Sequence, residues 1–354
     1  EGLVEAPHAP LGRVTGTVGG QAASSDFSAG GEVVVTPPTL TQSGAVFAVE
    51  EMKLGGKTTL QFGARAEAQA IRLGEVDPAL PALPGYAARS GERKRLAGLS
   101  GSTGLVFYPA KDWSVGVALA YTERLPTAQE FFSNGPHGGT GAYEVGTSGL
   151  GREKSLGFDV SLRRRAGFVT GAISAFAHRF DDYIFEQELP LAAIPEENNE
   201  DGLTPFQFAA RNARFHGAEA ELSFHLLDRT PRRVHLDLMG DLVRAQQAAS
   251  REPLPRIPAA RYGARLSYED GRWSVHVEWR RTARQNRLAA TETPTAGYTL
   301  VHASIAWLVP AGRVNYEFFL RGQNLTNANA RAHSSFLRDV APLPGRGVLG
   351  GVPG

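Results

Sequence analysis

Apolar and polar side chains alternate along most of this chain, and a period of two sends successive residues to opposite faces of a β-strand. In RWSVHVEWRR (272–281), Trp273, Val275, Val277 and Trp279 share one face, and Ser274, His276, Glu278 and Arg280 the other. WSVGVALAYTER (113–124) sets Trp113, Val115, Val117, Leu119 and Tyr121 against small and polar residues. The same split recurs in KSLGFDVSLRRR (154–165), ARYGARLSYED (260–270) and RVNYEFFLRGQN (313–324), with Phe319 as an apolar intruder on the polar face. The pattern predicts about fourteen strands of about ten residues, longer than the five or six usual in soluble sheets.

The connections alternate in length. Tight turns are expected at Leu54–Lys57, Pro109–Asp112, Arg165–Gly167, Glu269–Gly271 and Pro310–Gly312. Long segments are expected at about Leu73–Arg93, Leu125–Arg152, Gln187–Pro205 and Asn327–Gly345. Alternation alone is equally compatible with a soluble antiparallel sandwich, whose outer face meets water. Strand length and the two unequal rims favour an all-β, transmembrane antiparallel barrel with short periplasmic turns and long extracellular loops. Trp113, Tyr121, Trp273, Trp279, Tyr298 and Trp307 lie near strand ends, where an interfacial girdle would sit.

Composition narrows the chemistry. The 41 glycines and 22 prolines of the 354 residues fit many turns. No cysteine is present, which excludes disulfides, thiolate nucleophiles and cysteine-based metal sites. Lys and Arg number 37 against 36 Asp and Glu, a balance that offers no electrostatic case for nucleic acid. No run of about 18 apolar residues suggests a membrane helix. Glu1 follows no visible leader, so a leader is expected to be processed away or to lie outside this chain.

From Tyr121 to Ser155 the chain resembles the barrel of TonB-dependent outer-membrane receptors. Arg124, Pro126, Glu130, Phe132, Gly135 and His137 carry the first part of the likeness, and Glu144, Gly146, Leu150, Glu153, Lys154 and Ser155 the second. Three further landmarks follow in family order: FAHRFDDYIFE (176–186) with Asp182 and Tyr183, ARFHGAEAEL (213–222) with Gly217 and Glu219, and GQNLTNANARAHSSFLRDVAPLPGR (322–346) with Asn324. The resemblance implies that residues 1–354 are a partial barrel, about 14 of about 22 strands, with the plug domain and the first barrel strands absent. It also implies coupling to the TonB–ExbB–ExbD complex through that plug, and residence among the lipids of a Gram-negative outer membrane. The final PGRGVLGGVPG departs from the family's aromatic-ended last strand, and Gly350, Gly351 and Pro353 are expected to pair poorly.

Within the family, SNGPH and HSSFLRDVAPLPGR look most like the zinc-importing branch, with other metal and metal-chelate receptors close behind. The residues of suitable type for a metal are His137, Glu130, Glu144, Asp181 and His333, with Asp182 and Glu186 nearby in sequence. His235, His276 and His302 alternate with strand residues and read as wall positions. The expected function is uptake of a scarce metal such as zinc, or of a metal chelate such as a siderophore, without covalent chemistry or a bound cofactor. A passive porin-like channel and a soluble β-rich binding module are the alternatives. An enzyme is disfavoured, because the adjacent His333, Ser334 and Ser335 do not create triad geometry.

Overall fold

A computed structural model describes residues 2–7, 14–30, 34–75, 91–312 and 314–352. The regular structure is almost entirely strand: β1 (Gly2–Pro7), β2 (Val14–Phe27), β3 (Thr39–Leu54), β4 (Thr58–Leu73), β5 (Arg93–Phe107) and β6 (Trp113–Arg124) come first. A helical turn, α1 (Ala128–Phe132), and a small hairpin, β7 (Asn134–His137) and β8 (Ala142–Val145), interrupt the series. It resumes with β9 (Glu153–Arg164), β10 (Val169–Glu188), β11 (Thr204–Arg229), β12 (Arg232–Gln247), β13 (Arg261–Glu269) and β14 (Trp273–Thr282). β15 (Tyr298–Ala311), β16 (Val314–Gln323) and β17 (Gly347–Gly351) complete it.

The wall is an antiparallel meander in which each strand pairs with the next, and β6 skips the hairpin to pair with β9. The seventeen strands form one sheet. Thirteen of them, β2 to β6 and β9 to β16, are long wall strands, one fewer than the expected fourteen, and the hairpin with the short β1 and β17 makes up the rest. β17 forms despite its glycines, pairing from Gln323↔Gly347 to Phe319↔Gly351; Pro353 lies outside the described residues. Among the described residues, no register joins β17 to β1.

Short turns follow β3, β5, β9, β11, β13 and β15, and long loops follow the strands between them. The turn after β13 shows how the sequence builds one: Asp270 accepts the backbone N–H groups of Arg272 (3.0 Å) and Trp273 (2.8 Å), closing the chain on itself. The first expected long loop has its middle, residues 76–90, outside the described residues. Loops 248–260 and 283–297 belong to the same rim but were not expected as long, because apolar anchors such as Leu254 and Ile257 blur the break in alternation.

The apolar faces read from the sequence carry no second layer of protein. Phe158 is 47 % and Val277 48 % exposed, and Leu156, Leu162, Trp279, Tyr316, Phe318 and Leu320 are exposed with them. A soluble sandwich would bury this face; a barrel wall gives it to lipid. Near the short-turn rim Trp273 stacks on Trp307 at 5.4 Å, and Trp307 meets Phe318 at 5.9 Å. Toward the other rim Tyr262 and Trp279 meet at 5.6 Å. The opposite face is ionic: Arg261 pairs with Asp241, and Arg265 and Arg280 both pair with Glu278.

Buried side chains gather at the long-loop rim. Val34, Ile71, Leu73, Phe131, Phe132, Leu150 and Ile184 form one cluster, and Ala213, Ala245 and Leu254 another. On β9, Val160→Arg should cost about 2–4 kcal/mol of folding free energy in lipid vesicles. Ser161→Arg, one residue along on the polar face, should cost well under 1 kcal/mol. Chemical denaturation of the two variants in vesicles checks this; equal costs would mean that neither face meets lipid.

Candidate functional site

The loop after β6 begins with an ion-paired clamp. Arg124 reaches Glu153 at the start of β9 (Nη2–Oε2, 3.1 Å) and Glu130 in α1 (Nη1–Oε2, 3.0 Å). Glu130 also accepts the backbone N–H of Thr127 (2.7 Å) while the Thr127 hydroxyl accepts that of Glu130, a reciprocal cap of the helical turn. Phe131 and Phe132 thereby enter the rim cluster. The chain then enters β7, where Gly135 passes so close to the chain at Val34 that a Cβ would fall 2.5 Å from its carbonyl oxygen. β8 lies parallel against the free edge of β11, with Glu144 opposite Phe206.

That docking presents a polar pair to the mouth. His137 Nδ1 lies 2.6 Å from Glu144 Oε1, which also accepts the Thr140 hydroxyl at 2.9 Å. The other proposed ligands lie elsewhere. Glu130 is held in the Arg124 clamp, Asp181 sits 3.4 Å from Arg179 on an exposed stretch, and His333 is buried against Thr295 (2.7 Å). Among the described residues, no three His, Asp or Glu side chains converge as a metal-ligand group.

Beside the pair opens a cavity of about 410 Å³, walled by the ends of β10 and β11 and by loops 248–260, 283–297 and 324–346. Arg256 crosses it, bonding Glu186 (2.6 Å) and lying 3.8 Å from the centre of the Phe336 ring, which meets Phe206 edge-on at 5.9 Å. Glu292 ties three loops together. It accepts the backbone N–H groups of Arg256 (2.7 Å) and Ala289 (3.0 Å) and lies 3.3 Å from Arg338 Nη1 and 3.4 Å from His333 Nε2. Glu188, Glu252 and Asp339 add carboxylates to the same wall.

Residues 10–325 match the family model for the TonB-dependent receptor-like β-barrel. The chain belongs to the TonB-dependent receptor β-barrel family. Its fold is similar to that of the copper transporter OprC, at 17% identity and a TM-score of 0.76, over 98% of this chain and 54% of that one. It is similar also to the FrpB iron transporter from Neisseria meningitidis, at 14% identity and a TM-score of 0.69, over 98% and 53%. The ferric yersiniabactin uptake receptor FyuA from Yersinia pestis gives 12% identity and a TM-score of 0.63, over 99% and 51%. The chain thus spans about half the length of these structures.

In this TonB-dependent receptor barrel the motif residues are mostly architecture. The buried Pro126 offers its carbonyl to Gln69 (2.9 Å). Asp182 takes a left-handed conformation (φ 58°) at the irregularity between Phe180 and Tyr183, where its N–H donates to Asn212. The irregularity leaves Tyr183 packed against Phe180 and Phe215, while Ile184 joins the other cluster. Gly217 passes so close to β12 that a Cβ would lie 2.4 Å from the Leu242 carbonyl, and Glu219 stands opposite Asp241 on the polar face. Asn324 binds its loop through the carbonyls of Ala328 and Pro344, both at 3.0 Å. Arg256 and Glu292 were not singled out by the sequence, and Phe336 and Arg338 were read only as part of the HSSFLRDVAPLPGR stretch, since no local pattern marks partners that come from separate loops.

Burial would raise the Glu292 pKa, but His333 and the two backbone N–H groups outweigh it and hold the carboxyl at about 2. A depressed carboxyl stabilises the fold fully above its unfolded value of 4.5, and that stabilisation is lost as pH falls from there toward 2. Pepsin cleavage of loops 283–297 and 324–346 should therefore rise steeply across that window. Glu292→Gln should flatten the rise and loosen the loops by about 2 kcal/mol at pH 5; an unchanged pH profile in the variant would assign the transition to another group.

Proposed function

We propose that this chain forms the wall and mouth of a TonB-dependent receptor that imports a metal chelate across the outer membrane of a Gram-negative bacterium. The cavity walled by Glu186, Arg256, Phe206, Phe336, Glu292 and Arg338 carries this reading. Its volume suits a small chelate, and its walls combine aromatic surface, guanidinium donors and carboxylate acceptors, the mixture a ligand pocket uses for contact and orientation. A chelate brings its metal already coordinated, which agrees with the lack of a converging ligand group among the described residues. Family membership supports the reading, as do the copper and iron transporters with a similar fold.

Transport would proceed without covalent chemistry. Energy would come from the TonB–ExbB–ExbD complex through a plug segment, with the loops capturing solute and the polar face of the wall guiding it. A second reading, uptake of zinc itself, is favoured by the His137–Glu144 contact at 2.6 Å, since zinc takes imidazole and carboxylate ligands. Uptake of radiolabelled metals, free and chelated, by cells with and without the gene separates the two. Under the chelate reading, Arg256→Ala weakens chelate uptake about tenfold, and His137→Ala with Glu144→Ala leaves it near normal. Loss of free-zinc uptake in the double variant, with Arg256→Ala silent, would replace the first reading with the second. Uptake that persists without TonB would point to a passive channel.

A further inference from the structure

We infer that His225 and His235 form a lumenal site for a divalent first-row transition-metal ion, close to the short-turn rim and far from the mouth. The two residues stand opposite each other in the β11–β12 register, so neighbouring strands bring their rings together. The ring centres are 4.7 Å apart. Both lie on the polar face of the wall, in step with Ser223 and Asp237, whereas Leu222, Phe224, Leu236 and Leu238 take the apolar face. They approach the turn at Thr230–Pro231, at the opposite end of β11 from the mouth cavity.

Their nitrogens make the pair unusual. His225 Nδ1 and His235 Nε2 are both buried and have no hydrogen-bond partner among the described residues. A buried ring nitrogen left without a partner costs free energy that a structural histidine normally avoids. Thr170 bonds the other nitrogen of His225 at 2.9 Å. With Nε2–H donating to that hydroxyl, Nδ1 carries the lone pair, the arrangement by which an outer partner orients a ligating imidazole. His276, which follows in the same tier across Ser267, differs: its ring is bonded to Ser304 at 2.9 Å. Two neutral imidazoles suit copper(II), nickel(II) or zinc(II), with copper held most tightly. Water would complete the coordination sphere. With only two protein ligands the site holds its ion loosely and exchanges it. The inference stands independently of whether the mouth cavity takes a chelate.

The test uses the purified protein in detergent, with copper(II) alone as the probe and electron paramagnetic resonance as the readout. The wild type should show nitrogen coupling from two imidazoles. His225→Gln and His235→Gln should each remove one nitrogen. Thr170→Val, which keeps both rings, should weaken binding about tenfold, and it serves should a histidine variant fail to insert. His276→Gln should leave the signal unchanged. A double variant, His225→Gln with His235→Gln, that retains the two-nitrogen signal would overturn the assignment, as would a wild type without it. Uptake measurements on the mouth variants succeed or fail separately.

Discussion

Hydrocarbon offers a peptide group no hydrogen-bond partner, and the rest of this structure follows from that constraint. Each wall strand must be paired along its length with a neighbour, so the chain becomes a meander of antiparallel ladders. A wall one sheet thick has two unlike faces, which is why Leu156, Phe158, Val160 and Leu162 can remain uncovered while Asp159 and Ser161 between them turn the other way. The same geometry separates two rims. Turns on one need only reverse the chain, and loops on the other are free to build a site.

Building that site requires burial at a place where the wall supplies little. The mouth solves this with two small clusters, one holding Phe131 and Phe132 against β4 and β10, the other holding Leu254 against β11 and β12. Charges then fix the loops to the wall. Arg124 ties α1 to β9, Arg256 ties loop 248–260 to β10, and Glu292 ties three loops to one another. Each of these carboxylates is largely withdrawn from water, so each pair is screened less than an exposed one. The cavity is therefore the space between tethered loops, not a pit in a packed core.

Much of the wall was legible in the sequence because its signal is local. Trp273, Val275 and Val277 declare a strand and its lipid face within a few residues, and the strand appears as read, at Trp273–Thr282. The site was legible only in part. His137 and Glu144 were both named, and they meet because a hairpin one turn long joins them. Glu186 was named too, but its partner Arg256 lies 70 residues away, and Glu292 meets Arg338 across 46. Contacts of that span depend on how loops fold over the rim, and no period or spacing encodes it. Asp182 shows a third case: its motif was visible, while its role at the strand irregularity was not.

The placement of the motif residues bears on where specificity resides. Arg124, Pro126, Glu130, Gly135, Gly217 and Asn324 make contacts within the scaffold: a clamp, a cap, two close approaches of backbone and a loop tie. None of them lines the mouth cavity. Residues that hold a scaffold can serve any cargo, so a shared motif marks the fold and says little about the solute. Under the proposed reading, discrimination falls to side chains that line the cavity. Arg256, Phe336 and Arg338 fit this description, since they come from the long loops, where change in length and composition costs the wall little. Such a division lets one barrel plan carry different cargoes, with the wall conserving its hydrogen bonds while the loops vary the chemistry at its mouth.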